Sequence, residues 1–186
     1  MKAKNGFTEN TDHISSDSQQ KPKQKNTLGD LIKRGGIYRD VSGTTPKEVL
    51  NSLIGVLPLS SPEASDKLLE AVLEREALMS TGIGGGIAVP HPRNPIANPD
   101  SNDPLEDNDE FVVLAFLQNP IDWHSLDGEK VDTLLLIVTA SPKQHLKILS
   151  EISFFCRQDD FYKLLKERSS MDKILDFIKV TERNWK

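Results

Sequence analysis

Apolar positions change their period several times along this chain, and the changes mark out a layered domain. The first 26 residues are mostly Lys, Asn, Ser, Gln and Asp with almost no apolar content. Such a segment cannot bury enough surface to offset its ordering entropy, so residues 1–26, His13 included, are expected to form a disordered tail. From Thr27 a helical pattern begins. Leu28–Ile32 predicts a short helix stopped by Gly35-Gly36, and Ile37–Asp40 a short strand. Thr45-Pro46 opens a helix whose apolar face is Val49, Leu50, Leu53 and Ile54. Ser61-Pro62 opens another, to about Ala77, with Ala64, Leu68, Leu69, Val72 and Leu73 inward.

The period then breaks. Thr81–Gly86 reads as a Gly-rich loop, and Ile87–Val89 as a short strand ending at Pro90. Residues 94–110 are Asn, Asp, Pro and Glu with few apolar positions, a long acidic loop. The unbroken apolar runs Phe111–Leu117 and Thr133–Val138 suit strands buried on both faces. Ser141-Pro142 starts a helix through about Cys156, and 160–167 and 171–179 repeat Leu, Ile and Phe at helical spacing. Strands interleaved with helices predict an α/β layered domain over residues 27–186.

Composition narrows the function classes. A chain of 186 residues fits one domain plus a tail. The net charge of -5 argues against nucleic acid as the main partner and leaves room for a metabolite or a basic protein patch. The one cysteine, Cys156, makes no internal disulfide and no cysteine zinc site, and its apolar flanks predict a buried inert thiol. No apolar run approaches the roughly 20 residues of a membrane helix, and no signal-peptide core is visible, so the expectation is a cytoplasmic protein without membrane insertion.

Candidate chemistry centres on His91. Pro90 and Pro92 flank it, push Val89 and His91 into extended backbone, and donate no hydrogen bonds. The imidazole thus sits on a stiff segment just past a strand, presented for a partner. A neutral ring nitrogen can attack phosphorus if positive groups receive the phosphoryl oxygens, while a structural histidine is the bland alternative. His145 falls in the first turns of the helix that Ser141 caps, with Gln144 completing a capping-box pattern. The positive helix end there would keep the ring neutral and favour a nearby anion, although a plain surface histidine fits equally well. Arg75 continues one edge of the Leu68/Val72 face, with Glu76 also on that burying face, where charges need partners. A helix-terminal arginine is the simpler reading.

The run Gly82-Ile83-Gly84-Gly85-Gly86 fails both nucleotide motifs: Ile87 breaks GxGxxG, and no Gly-Lys-Ser/Thr follows. No cofactor is therefore expected. His124 lies in a loop with the turn signal Asp127-Gly128 and reads as exposed. A metal site from His91, His124 and His145 has no supporting ligand spacing, so no metal is expected.

The run Leu73-Glu74-Arg75-Glu76, then Ser80 through His91, closely resembles IIA domains of the bacterial phosphotransferase system, fructose/mannitol type. That group includes the stand-alone nitrogen-related regulatory IIA proteins. Ile121-Asp122-Trp123, Asp127-Gly128, Ser141-Pro142, His145-Leu146 and Leu149-Ser150 agree in order and spacing, so the resemblance spans roughly 27–180. It implies a three-layer α/β sandwich with a mixed central sheet flanked by helices. It implies that His91 is the phosphorylated histidine, with His145 and Arg75 beside it. Ser80, Thr81 and Gly86, with the neighbouring glycines, would shape the phosphate pocket. The phosphoryl donor would be a histidine phosphocarrier protein, and the output either regulation of protein targets or transfer to a IIB subunit. Two features depart from the common pattern: Pro92-Arg93-Asn94-Pro95 after the histidine, and a longer acidic stretch. Both are expected to act at the rim, where acidic residues would draw a basic docking face.

Three hypotheses follow. The first is reversible phosphotransfer through His91 with a regulatory output, which the lack of an attached IIB or IIC segment favours over a sugar-transport component. The second is a non-phosphorylated protein-binding module on the same fold. The third, a metal-dependent hydrolase using the histidines, has no positive support.

Overall fold

The computed structural model describes residues 26–94 and 110–184. Residues 1–25, with His13, and 95–109, most of the expected acidic loop, lie outside the described residues. Each early helix starts where a hydroxyl or proline prepares it. Thr27 caps α1 (Leu28–Gly35) through a reciprocal bond pair with Asp30. Thr45 caps α2 (Pro46–Ile54) and Ser61 caps α3 (Pro62–Leu78), each with proline in the first turn. Between α1 and α2 runs β1 (Ile37–Val41).

After α3 the chain forms β2 (Gly82–Gly84) and β3 (Ile87–Ala88), an antiparallel hairpin. This revises the expected Thr81–Gly86 loop. Gly84, Gly85 and Gly86 all take positive φ, so the glycine run builds the reversal between two strands, where a side chain would be strained. The apolar pattern could not show β2, because two of its three residues are glycine. Next come β4 (Phe111–Ile121) and β5 (Val131–Val138). β4 runs past Leu117 through the exposed Gln118, Asn119 and Pro120 to Ile121, which pairs with Val131. Polar residues hid this extension from hydrophobic patterning. α4 (Pro142–Phe155), α5 (Asp159–Lys166) and α6 (Met171–Asn184) complete the chain.

The five strands order as β1-β4-β5-β3-β2. β1 is parallel to β4, β4 antiparallel to β5, β5 parallel to β3 and β3 antiparallel to β2, so the sheet is mixed. Strand alternation divides the core in two. Val113, Ala115, Leu117, Leu134 and Leu136 face one way, onto Val49, Leu50 and Leu53 of α2 and Leu68 and Val72 of α3. Val112, Leu114, Phe116, Leu135 and Ile137 face the other, onto α1, Ile148, Ile152 and Phe155 of α4, and the inner residues of α5 and α6. Two helical layers thus enclose one sheet, the three-layer sandwich that the family resemblance implied. Among the described residues no helix is long and apolar enough to cross a membrane.

Candidate functional site

Parallel strands β3 and β5 end at the same edge of the sheet, and each delivers one histidine there. From β3 the chain passes through Val89 and Pro90 to His91; the Pro90 carbonyl accepts from Ile137 N–H (3.0 Å), which keeps this segment against β5. From β5 it passes through Thr139 to Ser141, whose side chain accepts from Gln144 N–H (3.3 Å) and caps α4. The other half of the expected capping box is not made: Gln144 Nε2 reaches the Asn26 carbonyl instead (3.5 Å). His145 sits in this first turn, its N–H on the Ser141 carbonyl (2.9 Å). The two imidazoles meet with centroids 4.8 Å apart, tilted by 55°. Open α/β sheets commonly place ligands at the carboxyl ends of their strands.

His91 is 8% exposed. Its Nδ1 lies 2.7 Å from the Val89 carbonyl oxygen. A carbonyl only accepts, so Nδ1 carries the proton and the lone pair is left on Nε2. Burial lowers the ring's pKa to about 4; the bond to Val89 opposes this, and the charges of His145 and Arg75 add to it. The Nε2 lone pair is therefore available well below neutral pH. His145 is lowered for the same main reason, burial, with Arg75 adding to it. Its Nδ1 is 3.3 Å from Thr139 Oγ1. If that hydroxyl donates, His145 carries its own proton on Nε2 and becomes a neutral donor.

Arg75 lies on the last turn of α3, half-buried, where Nη1 donates to the Met79 carbonyl (2.8 Å). It closes the helix end, as the simpler sequence reading had it, and its charge also bears on both imidazoles. The neighbouring Glu76 accepts from Thr81 N–H (2.8 Å) and from Thr81 Oγ1 (2.5 Å), which supplies the partner its place on a burying face requires.

Ser80 and Thr81 lie at this edge but spend their hydroxyls on the scaffold. Ser80 Oγ donates to the Trp123 carbonyl (2.6 Å), and Thr81 Oγ1 accepts from Trp123 Nε1 (3.3 Å). Gly86 is not brought to the site. Its carbonyl accepts from Asp132 and Thr133 at the start of β5, whereas Pro90 bonds Ile137 near its end. That separation is about 16 Å at the rise of a strand. The Gly84–Gly86 turn packs on Asp127, Tyr162 and Lys166. His124 also stands apart, its side chain 81% exposed beside Asp122 (3.2 Å). Among the described residues no three His, Cys, Asp or Glu side chains group as metal ligands would. Cys156 is tucked against the α4–α6 core, and burial pushes its thiol up to about 12, as expected of an inert cysteine. Arg93 is exposed just past the histidine.

Sequence reasoning missed Thr139, Trp123 and the Val89 carbonyl as supports. Thr139 carried a signal, a polar residue ending an apolar strand two positions before a helix cap, and Trp123 stood in the Ile121-Asp122-Trp123 run that carries the family resemblance.

Comparison with known proteins identifies the family. Residues 30–180 match the family model described as "Phosphoenolpyruvate-dependent sugar phosphotransferase system, EIIA 2". A nitrogen regulatory protein of Bradyrhizobium diazoefficiens is 30% identical over 75% of this chain and 86% of its own length. The fructose-specific EIIABC component of Bacillus subtilis is 27% identical over 81% of this chain, which spans only 23% of that protein. Among solved structures, the nitrogen regulatory protein IIA-Ntr of Neisseria meningitidis superposes with a TM-score of 0.67 at 20% identity, covering 81% of this chain and 98% of that one. The mixed sheet, the paired histidines at its edge and the family match lead to one assignment: the chain belongs to the EIIA 2 family of the phosphoenolpyruvate-dependent sugar phosphotransferase system.

Proposed function

We propose that this protein is a phosphocarrier in which Nε2 of His91 accepts a phosphoryl group from the phosphohistidine of a histidine phosphocarrier protein. The observation that carries this reading is the 2.7 Å contact of His91 Nδ1 with the Val89 carbonyl, which leaves the other nitrogen neutral and nucleophilic. In the transfer the donor's P–N bond breaks as a new P–N bond forms at Nε2. The donor nitrogen regains its lone pair, and with the donor's other ring nitrogen protonated its ring leaves neutral and no proton need move. Phosphoryl transfer depends mostly on alignment and on charge for the equatorial oxygens. Arg75 supplies that charge, His145 a neutral donor, and the start of α4 its positive dipole end. Ser80 and Thr81 shape the edge through backbone and scaffold contacts; Gly86 takes no part.

The output we favour is regulatory, because nitrogen regulatory relatives match along most of their own length. Delivery to a IIB subunit is the second reading, favoured by the similarity to the fructose-specific EIIABC component. Incubation with phosphoenolpyruvate, the first enzyme of the system and the histidine phosphocarrier protein tests the central claim. The expected result is one acid-labile label that His91→Ala abolishes. An unlabelled chain, or one still labelled in His91→Ala, overturns it.

A further inference from the structure

We propose that Glu76 is a positioning residue that holds His91 in the single tautomer presenting Nε2. The proposal rests on the phosphocarrier reading of His91 and extends it to a residue outside the imidazole cluster. A carboxylate on the last turn of a helix faces the negative end of the macrodipole, a poor place for it unless donors compensate. Here both donors come from one residue. Thr81 gives Glu76 its backbone N–H and its hydroxyl, and it is itself buried. Trp123 Nε1 donates to the same hydroxyl, so the hydroxyl proton is directed onto Glu76.

Thr81 is thereby held at both backbone groups. Its carbonyl accepts from Val89 N–H (3.0 Å), and the Val89 carbonyl accepts from His91 Nδ1. The Val89–Pro90 peptide has no N–H of its own, so its orientation depends on the bonds flanking it. One is Ile137 N–H on the Pro90 carbonyl; the other is the Thr81 bond that Glu76 supports. A histidine's tautomer follows the hydrogen bond made by its other nitrogen. Loosening Thr81 lets the Val89 carbonyl turn from Nδ1, and the proton then divides between the two nitrogens. Every molecule with its proton on Nε2 lacks the accepting lone pair there.

The test is a long-range nitrogen–proton NMR correlation of the His91 ring near neutral pH, in the unphosphorylated full chain, paired with the phosphotransfer rate. Wild type is expected to show one tautomer, protonated at Nδ1. Glu76→Ala is expected to show a mixture and a rate lowered in proportion to the Nδ1–H fraction that remains. Glu76→Gln has the same shape but offers only one acceptor oxygen to two donors, so it is expected to shift both readouts less in the same direction and to decide the matter if Glu76→Ala does not fold. Arg75→Ala, which removes the neighbouring charge without touching Thr81, should slow transfer and leave one tautomer. A single Nδ1–H tautomer in the folded Glu76 variants overturns the proposal, as does an equal mixture in Arg75→Ala, which would trace the effect to fraying of the helix end. The NMR readout needs no phosphoryl donor. Absence of label on wild-type His91 therefore sinks the phosphocarrier reading alone, while an unchanged tautomer with intact labelling sinks only the role of Glu76.

Discussion

His91 shows how far a single side chain departs from what its neighbours in sequence announce. The flanking prolines make it stiff, and that much is legible from Pro90-His91-Pro92. Its protonation state is not, because burial lowers its pKa to about 4 and the bond to Val89 only partly resists. The sign of the consequence follows from linkage. The unfolded chain takes up a proton on this ring below about pH 6.5, whereas the folded chain does so only near pH 4. Stability therefore falls as pH drops through that window, by about 3 kcal/mol from this residue, and is unaffected by it above pH 7. Chemical denaturation at several pH values, with His91→Asn as the reference, should show that slope vanish in the variant. The His91 ring should also show no NMR titration step between pH 5.5 and 8. A midpoint near 6.5 would remove the basis for a neutral, buried acceptor.

Elements were recovered where their apolar period was continuous and lost where glycine or polar residues carried the backbone. The helices capped by Thr45, Ser61 and Ser141 start where their hydroxyl–proline pairs place them. β2 and the end of β4 escaped because their pairing comes from neighbours, not from their own side chains. Gly35 is a third case. It reads as a helix stop, yet it is the last residue of α1, which ends against Gly36. Its constraint lies across the layer, where a Cβ would run into the Val112–Val113 peptide of β4. Backbone cannot give way as a side-chain tip can. Gly35→Ala is thus expected to cost about 2–3 kcal/mol, read as a lower urea midpoint at unchanged slope. A neutral effect would mean that α1 can lift from the sheet without penalty.

Across the molecule, Glu110 joins segments that are far apart in the chain. It is almost fully buried, its carboxylate accepting from Ala140 N–H (2.8 Å) before α4 and from Asn26 Nδ2 (3.0 Å) before α1. Its carbonyl accepts from Arg34 Nη1 (2.6 Å). Glu110→Ala leaves the half-buried Ala140 N–H without this acceptor, beside the turn that carries Thr139 and His145. A loss of about 2 kcal/mol in unfolding free energy is expected, and a change under about 0.5 kcal/mol would show the turn to be held otherwise. The sequence placed Glu110 at the end of an acidic loop and Asn26 at the end of a tail, and nothing in either stretch pointed to the other. Periodicity, caps and proline thus carried the α/β layering, most helix starts and the stiffness around His91, because they act over a few neighbouring residues, and the family resemblance carried the three-layer scheme and the role of His91. Folding settled the rest of the site. It brought His145 to His91, turned the Gly84–Gly86 run away to the far end of β3, and linked Glu76 to the ring through Thr81 and Val89. Those relations join residues across strands and layers, where hydrogen-bond direction and burial depend on the packed whole.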